Sequence, residues 1–309
     1  MINFRYHLVS LTAMFLALGL GIAMGATVVD RALVSGLEDQ LNRVGTRADS
    51  VAANNDHLDD QLSSWERFAE QAGDEFVAGR LAGVPVVVVT FAGVDGDVVA
   101  RVEAALRNAG AILPARVLFT SRFALPDESS TAELGALVAA GSGVAEQVRP
   151  EAARRVAEAW AGRARPELEA ELVAADFLEI TVDGGAAVPV IADLGARFLV
   201  VSSGQADVPN PALSVPLVRA MSDLAMPVVA ADITRADRDS LRQPEQDVDP
   251  DPFVGPLRAD ERVLGRISTV DHAAGFRGRT AVVFALAELG EATVGQYGTG
   301  GGAERFLPD

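Results

Sequence analysis

A few polar side chains stand where a parallel sheet would place its chemistry. Asp95 and Asp97 follow one β-branched run, Ser202 and Ser203 close another, and Asp232 and Asp271 close two more. In open α/β sheets, ligands sit beyond the carboxyl ends of the strands. Hydrolytic chemistry there would need a positioned base, and beyond the N-terminal segment only His57 and His272 offer an imidazole. His272 has no G-x-S-x-G elbow and no evident serine partner. Carboxylate pairs are too common to single one out in a chain with 43 Asp and Glu. No catalytic residue is assigned, and no enzymatic activity is expected.

Phosphate chemistry fares no better. The turn Gly93-Val94-Asp95-Gly96 lacks the G-x-G-x-x-G pattern, and the chain has no Lys for a P-loop. The turn therefore reads as a tight reversal, and no cofactor-binding residue is assigned. Gly275-Phe276-Arg277-Gly278-Arg279 could hold an anion at a helix N-terminus, although such a stretch is more often a solvated helix start. A soft metal prefers thiolate or thioether ligands. The chain has no Cys, three His and five Met. Met14 and Met24 fall in an apolar N-terminal segment, Met221 and Met226 in the downstream domain, and core packing is the expected role of all four. Metal ligands are left unassigned, and no resident cofactor is expected.

The elements that would position these groups are legible from periodicity. Residues 84–90 form a continuous β-branched run, the pattern of a strand buried on both faces. A Gly/Asp turn follows, then an amphipathic helix over 97–108 closed by Gly110, then a strand over 115–119. That strand–helix–strand unit predicts a parallel sheet. Further helices are expected at 130–140, 145–161, 213–224 and 279–289, and further strands at 177–182, 198–202, 228–233 and 266–270. The stretch 243–256, rich in Pro and Asp, reads as a loop. Residues 83–297 form one Rossmann-like α/β domain with a mainly parallel sheet and an inserted helical region. The glycine-rich tail, 298–309, is expected to be disordered.

Upstream, over 30–82, apolar residues follow a 3-4 spacing. Position a holds Val34, Leu41, Ala48, Asn55 and Leu62, and position d holds Leu37, Val44, Val51, Leu58 and Trp65. Ala69 and Phe76 continue position a, and Ala72 continues d. This is the signature of a parallel coiled coil, with Asn55 as a polar a residue that fixes register and a two-stranded state. A homodimer is expected; the competing reading is an amphipathic helix packed on its own domain.

Ahead of that lies a run without charge, 8–29, long enough to cross a hydrocarbon core of about 30 Å at 1.5 Å per residue. Arg5 precedes it, so the positive-inside rule puts residues 1–7 in the cytoplasm and the bulk of the chain outside. Plasma-membrane lipid is thus an expected partner. A cleaved signal peptide would have a shorter apolar core, and its nearest site, around Ala23-Met24-Gly25, lies inside the run. Ala13, Ala17, Gly21 and Gly25 recur every four residues, the small-residue stripe that lets two membrane helices approach.

The formal net charge is -17, and all 26 cations are Arg. An acidic surface of this kind repels phosphate backbones, which excludes a nucleic-acid partner.

The opening Met1-Ile2-Asn3-Phe4-Arg5-Tyr6-His7-Leu8-Val9-Ser10, running into Phe15-Leu16-Ala17-Leu18-Gly19, resembles the start of the actinobacterial MctB-type copper transport family. Ser268-Thr269-Val270-Asp271 and Gly295-Gln296-Tyr297-Gly298 resemble that family's C-terminal signature. The resemblance implies a role in copper transport or homeostasis, with copper as the only metal it brings in. The family includes SteB-like cell-separation proteins, which implies a second set of partners, a SteA-like membrane protein and a peptidoglycan hydrolase. The sequence thus leads to a dimeric, single-pass envelope scaffold, with copper transport or cell separation as its task.

Overall fold

The computed structural model describes residues 4–141, 143–165, 167–182, 189–234 and 253–307. One helix, α1 (Phe4–Val77), runs for 74 residues through both the charge-free segment and the heptad repeat. It ends at Val77, short of the expected 82, and turns lead to the sheet. The chain divides into two compact units, residues 1–67 and residues 68–309, so the last turns of α1 belong with the α/β unit.

In the first unit the helix is exposed on every side from Phe4 to Gly25. This is the one helix among the described residues that is long and apolar enough to cross a membrane. Further along, Leu41, Val44, Val51, Leu58, Leu62 and Trp65 are each more than half exposed. Apolar groups left in water at that spacing are an uncovered face.

The second unit is a sheet with helices on both faces. Its elements are β1 (Val86–Phe91), α2 (Gly96–Asn108), β2 (Arg116–Phe119), α3 (Glu128–Leu137), α4 (Ala145–Trp160), α5 (Leu168–Ala174) and β3 (Leu178–Thr181). Then follow β4 (Arg197–Ser202), α6 (Ser214–Asp223), β5 (Val228–Asp232), α7 (Val254–Arg258), β6 (Ser268–Val270), α8 (Phe276–Glu288) and β7 (Gln296–Tyr297). The sheet order is β3-β2-β1-β4-β5-β6-β7. All pairings are parallel except β2 with β3, which places Phe119 opposite Leu178 in an antiparallel edge. The chain steps outward from β1 through β2 to β3, then returns to build from β4, so the winding switches between β1 and β4.

The valine run explains this position. Val86 and Val88 join Val102 and Leu106 of α2 and Val282 and Leu286 of α8 on one face. Val87, Val89 and Phe91 join Leu134, Val148, Leu172 and Leu217 on the other. A strand that alternates between two cores can spare no polar residue, which is why the run is unbroken. On the second face Trp160 stacks on Phe198 at 5.6 Å and meets the edge of Phe119 at 6.2 Å.

Two further expectations differ from the structure. The loop expected over 243–256 is in part the short helix α7; residues 243–252 lie outside the described residues. The tail expected to be disordered folds back on the sheet from 298 to 307, with Arg305 in a bridge to Tyr297. Elements α5 and β7 had no counterpart in the sequence pattern. Both are short, and β7 exists because β6 offers it a register, Thr269 opposite Gln296 and Val270 opposite Tyr297.

Candidate functional site

The crevice at the β1/β4 switch is filled by the protein itself. Gly93, in the turn after β1, has φ +86, and a Cβ there would lie 2.5 Å from Asp207 Oδ1 and 2.5 Å from the Gln205 carbonyl. The Asp207 amide donates to the Ala92 carbonyl at 2.8 Å, tying the loop after β4 onto that turn. Asp95 serves as the N-cap of α2, its Oδ1 accepting from the amides of Asp97 at 3.0 Å and Val98 at 3.3 Å. Asp97 sits in the first turn of the same helix, where the helix dipole favours an anion. The tight-turn reading of Gly93–Gly96 therefore holds.

Ser202 and Ser203 close β4 as a sealed network. The Ser202 hydroxyl donates to Asn210 Oδ1 at 2.6 Å, and the Ser214 hydroxyl donates to the same oxygen at 2.7 Å. Asn210 Nδ2 returns a bond to the Ser203 carbonyl at 3.0 Å. With Ser202 and Asn210 fully buried, these bonds satisfy groups that would otherwise be costly to bury. Asp232, at the end of β5, accepts from the Thr234 amide at 2.7 Å.

The densest polar cluster lies beyond β6. Asp271 and Arg258 are buried and paired, Nη1 to Oδ2, at 2.8 Å. Arg258 Nε donates to the Thr269 hydroxyl at 2.7 Å, and Nη2 donates to the Tyr297 carbonyl at 2.8 Å. His272 Nδ1 lies 2.7 Å from Asp271 Oδ1. The amides of Thr299 and Gly300 donate to the two Asp271 oxygens at 2.9 and 2.8 Å. Burial pushes the Asp271 carboxyl upward, but the bonds from His272, Thr299, Arg258 and Gly300 outweigh it and hold it well below the usual carboxylate range. The bond to Asp271 raises His272, against its own desolvation and the nearby Arg258, with Asp232 adding attraction.

Chemically, the cluster is a carboxylate–imidazole dyad with its histidine half-exposed. The Thr299 hydroxyl lies 3.4 Å from Nδ1, the same nitrogen that Asp271 engages, whereas a triad histidine serves its nucleophile through the opposite ring nitrogen. The arrangement holds backbone in place. Among the described residues, no group of three His, Asp or Glu side chains is placed to hold a metal ion. Met221 and Met226 are buried in the core, as expected, whereas Met14 and Met24 are exposed on α1.

The other sequence-derived residues stand as follows. Gly275 is the N-cap of α8, and a Cβ at Gly278 would come 2.3 Å from the His272 carbonyl, so Gly278 serves close packing. Ala13, Ala17, Gly21 and Gly25 are all exposed, with open space beside Gly21 and Gly25. Leu41, Val44, Ala48, Val51, Asn55, Leu58, Leu62 and Trp65 are exposed on α1, while the side chains of Val34 and Leu37 lie outside the described residues. His57 is exposed and meets Gln61 at 3.2 Å.

Sequence reasoning missed Arg258 and Asn210, and it gave Thr269 and Gln296, which stand in the two C-terminal signature stretches, no structural role. Arg258 follows Pro256 in a stretch without periodicity, and its partners come from β6, β7 and the tail. The two signature stretches were the signal for Thr269 and Gln296; Arg258 and Asn210 had none in the local pattern.

Two comparisons with known proteins bear on this chain. A family described as "Copper transport outer membrane protein, MctB" matches residues 1–308. Proteins named "Copper transporter MctB" from Mycobacterium bovis and Mycobacterium tuberculosis are 28% identical over 321 residues, covering 98% of this chain and 98% of each relative.

Proposed function

Because this chain belongs to the MctB copper transport family, we propose that it serves copper transport or homeostasis as a single-pass membrane scaffold. In this reading two copies zip along α1, and each pair carries two α/β units outside the plasma membrane, with the N-termini in the cytoplasm. The observation that carries it is the uncovered stripe on α1, where Leu41, Val44, Leu58, Leu62 and Trp65 stand 54–70% exposed at heptad spacing. A second copy is the partner whose own stripe matches that spacing. We read the sheet, with its switch between β1 and β4, as Rossmann-like, with its ligand crevice filled.

The family description speaks of an outer membrane. Transmembrane strands need roughly 9–11 residues each. The longest described strands here, β1 and β4, have 6. The membrane contact in this reading is the helix Phe4–Gly25, which a lipid core suits on every side.

A second reading gives the same scaffold a task in cell separation, holding a SteA-like membrane partner and a peptidoglycan hydrolase without handling copper. It is favoured by the donor set: the chain has no thiolate, and its two downstream thioethers, Met221 and Met226, are packed inside the core.

Sedimentation of the full chain in detergent tests the scaffold. A dimer that becomes a monomer in the Leu58→Asp, Leu62→Asp variant is expected; a persistent dimer would refute the seam. Calorimetric titration of the same dimer with Cu(I) separates the two tasks. Stoichiometric binding at micromolar or tighter affinity supports copper handling. No binding, together with a deletion strain that fails to separate daughter cells but grows normally on copper, supports the second.

A further inference from the structure

We propose that residues 298–307 are a strap, seated on the Asp271 carboxylate, that shuts the β6–β7 end of the sheet and opens as a unit while the rest of the sheet stays folded. The inference stands apart from dimerisation and from copper.

The seat is built from both sides. Arg258 and His272 hold Asp271 from within the domain, and the Thr299 and Gly300 amides hold it from the strap, so both carboxylate oxygens are shared between domain and strap. Arg258 also reaches the Gly301 carbonyl at 3.4 Å. The glycines are demanded by this closeness. A Cβ at Gly298 would lie 2.0 Å from Asp271 Oδ1, and one at Gly300 would lie 2.9 Å from Oδ2. Glycine at these positions thus serves a fitted contact and not looseness alone.

The far end of the strap covers the sheet's last strand. The amides of Glu304 and Arg305 donate to the Gln296 carbonyl at 2.8 and 3.4 Å, and the Gly298 amide donates to the Arg305 carbonyl at 2.9 Å. The Arg305 guanidinium lies over the Tyr297 ring, 5.6 Å from its centre. The hydrogen-bonding groups of β7 are thereby taken up internally, one way that proteins keep an edge strand from pairing with another chain.

What holds the strap is polar. Its two large apolar side chains, Phe306 and Leu307, remain 59% and 40% exposed, and the segment contributes no residue to either hydrophobic core. A segment tied down by hydrogen bonds, with little apolar burial, opens at a lower free energy than the core beneath it. Opening would uncover the β7 edge and admit water to the Arg258–Asp271 pair.

Hydrogen exchange followed by mass spectrometry on the full chain in detergent micelles tests this. Peptides spanning 298–307 are expected to exchange at least about tenfold faster than those of β5, and at least about tenfold slower than unstructured chain. Exchange at the β5 rate would overturn the proposal by making the strap part of the core. Exchange at the free-chain rate would overturn it by removing the strap. In Asp271→Asn the 298–307 peptides should move to the free-chain rate while β5 keeps its protection. If Asp271→Asn does not fold, Gly298→Ala reads the same point, since it blocks the seat while leaving Arg258 and Asp271 in place. Unchanged strap exchange in a folded variant of either kind sinks the proposal.

Discussion

Arg258 Nη1 lies 2.8 Å from Asp271 Oδ2, and the two side chains are 3% and 7% exposed. The pair joins a five-residue helix to the end of a three-residue strand, neither of which has the length to be stable alone. Removing both charges from water is expensive, so the arrangement depends on every remaining donor and acceptor being satisfied. Thr269, Tyr297, Thr299, Gly300 and His272 supply those bonds.

Arg258→Met should therefore destabilise the α/β unit by about 3–5 kcal/mol, because it strands a buried carboxylate. Denaturant unfolding of the full chain in detergent measures it. Adding Asp271→Leu should recover part of the loss, since the double change removes the orphaned charge. A single-variant cost below about 1 kcal/mol would mean that water already reaches the pair.

The same cluster sets a pH window. Asp271 is depressed from its ordinary value of 3.8, so its contribution is complete above that pH and is lost as pH falls toward the folded value. His272 is raised from 6.5, so its contribution is complete below 6.5 and is lost as pH rises through the raised value. Between about pH 4 and 6.5 both contribute in full. Glu169, pushed by burial up to about 7, also loses stability as pH rises. The difference between the wild-type chain and His272→Gln isolates the imidazole: it should shrink above neutral pH in thermal unfolding profiles, and a difference independent of pH would contradict the assignment.

The strands of the sheet centre were legible because they are buried on two sides, which forces the Val86–Val89 run. Helix α2 was legible because its apolar residues keep helical spacing and Gly110 marks its end by its backbone; that the Asp95 side chain caps its start was not read from the sequence. The strap was not. Its glycines carry the composition of a disordered tail, and only the position of Asp271, 27 residues earlier than the first of them, reveals why glycine is needed. Arg258 was hidden for the same reason: its partners lie 11 to 43 residues further along the chain, beyond the reach of any local pattern. Ser202, Ser203, Asp232 and Asp271 were rightly placed at the strand ends, but they hold loops shut. Composition cannot separate a polar residue that binds a ligand from one that binds its own backbone.

Asn55 offers a test of the seam that does not rely on breaking it. A lone Asn at an a position holds coiled coils two-stranded at some cost in stability. Asn55→Leu should make the assembly of the full chain more resistant to heat and shift part of it to a higher oligomer, as seen by sedimentation in detergent. A variant that stays monomeric or keeps the wild-type mass and melting point would place Asn55 outside any seam.

Gly93 tests whether the crevice at the β1/β4 switch is filled because the fold requires it. Its φ of +86 suits glycine, and an added Cβ would press on Asp207 and Gln205 at 2.5 Å, where backbone leaves little room to give. Gly93→Ala should cost about 1–3 kcal/mol from strain at that dihedral, with the contact adding to it. Gly96, three residues on in the first turn of α2, has open space where a Cβ would point, with nothing within 4 Å, so Gly96→Ala should be neutral or slightly stabilising. Equal unfolding midpoints for the two variants would show that the loop after β4 lifts away easily, and that the switch-point crevice can open after all.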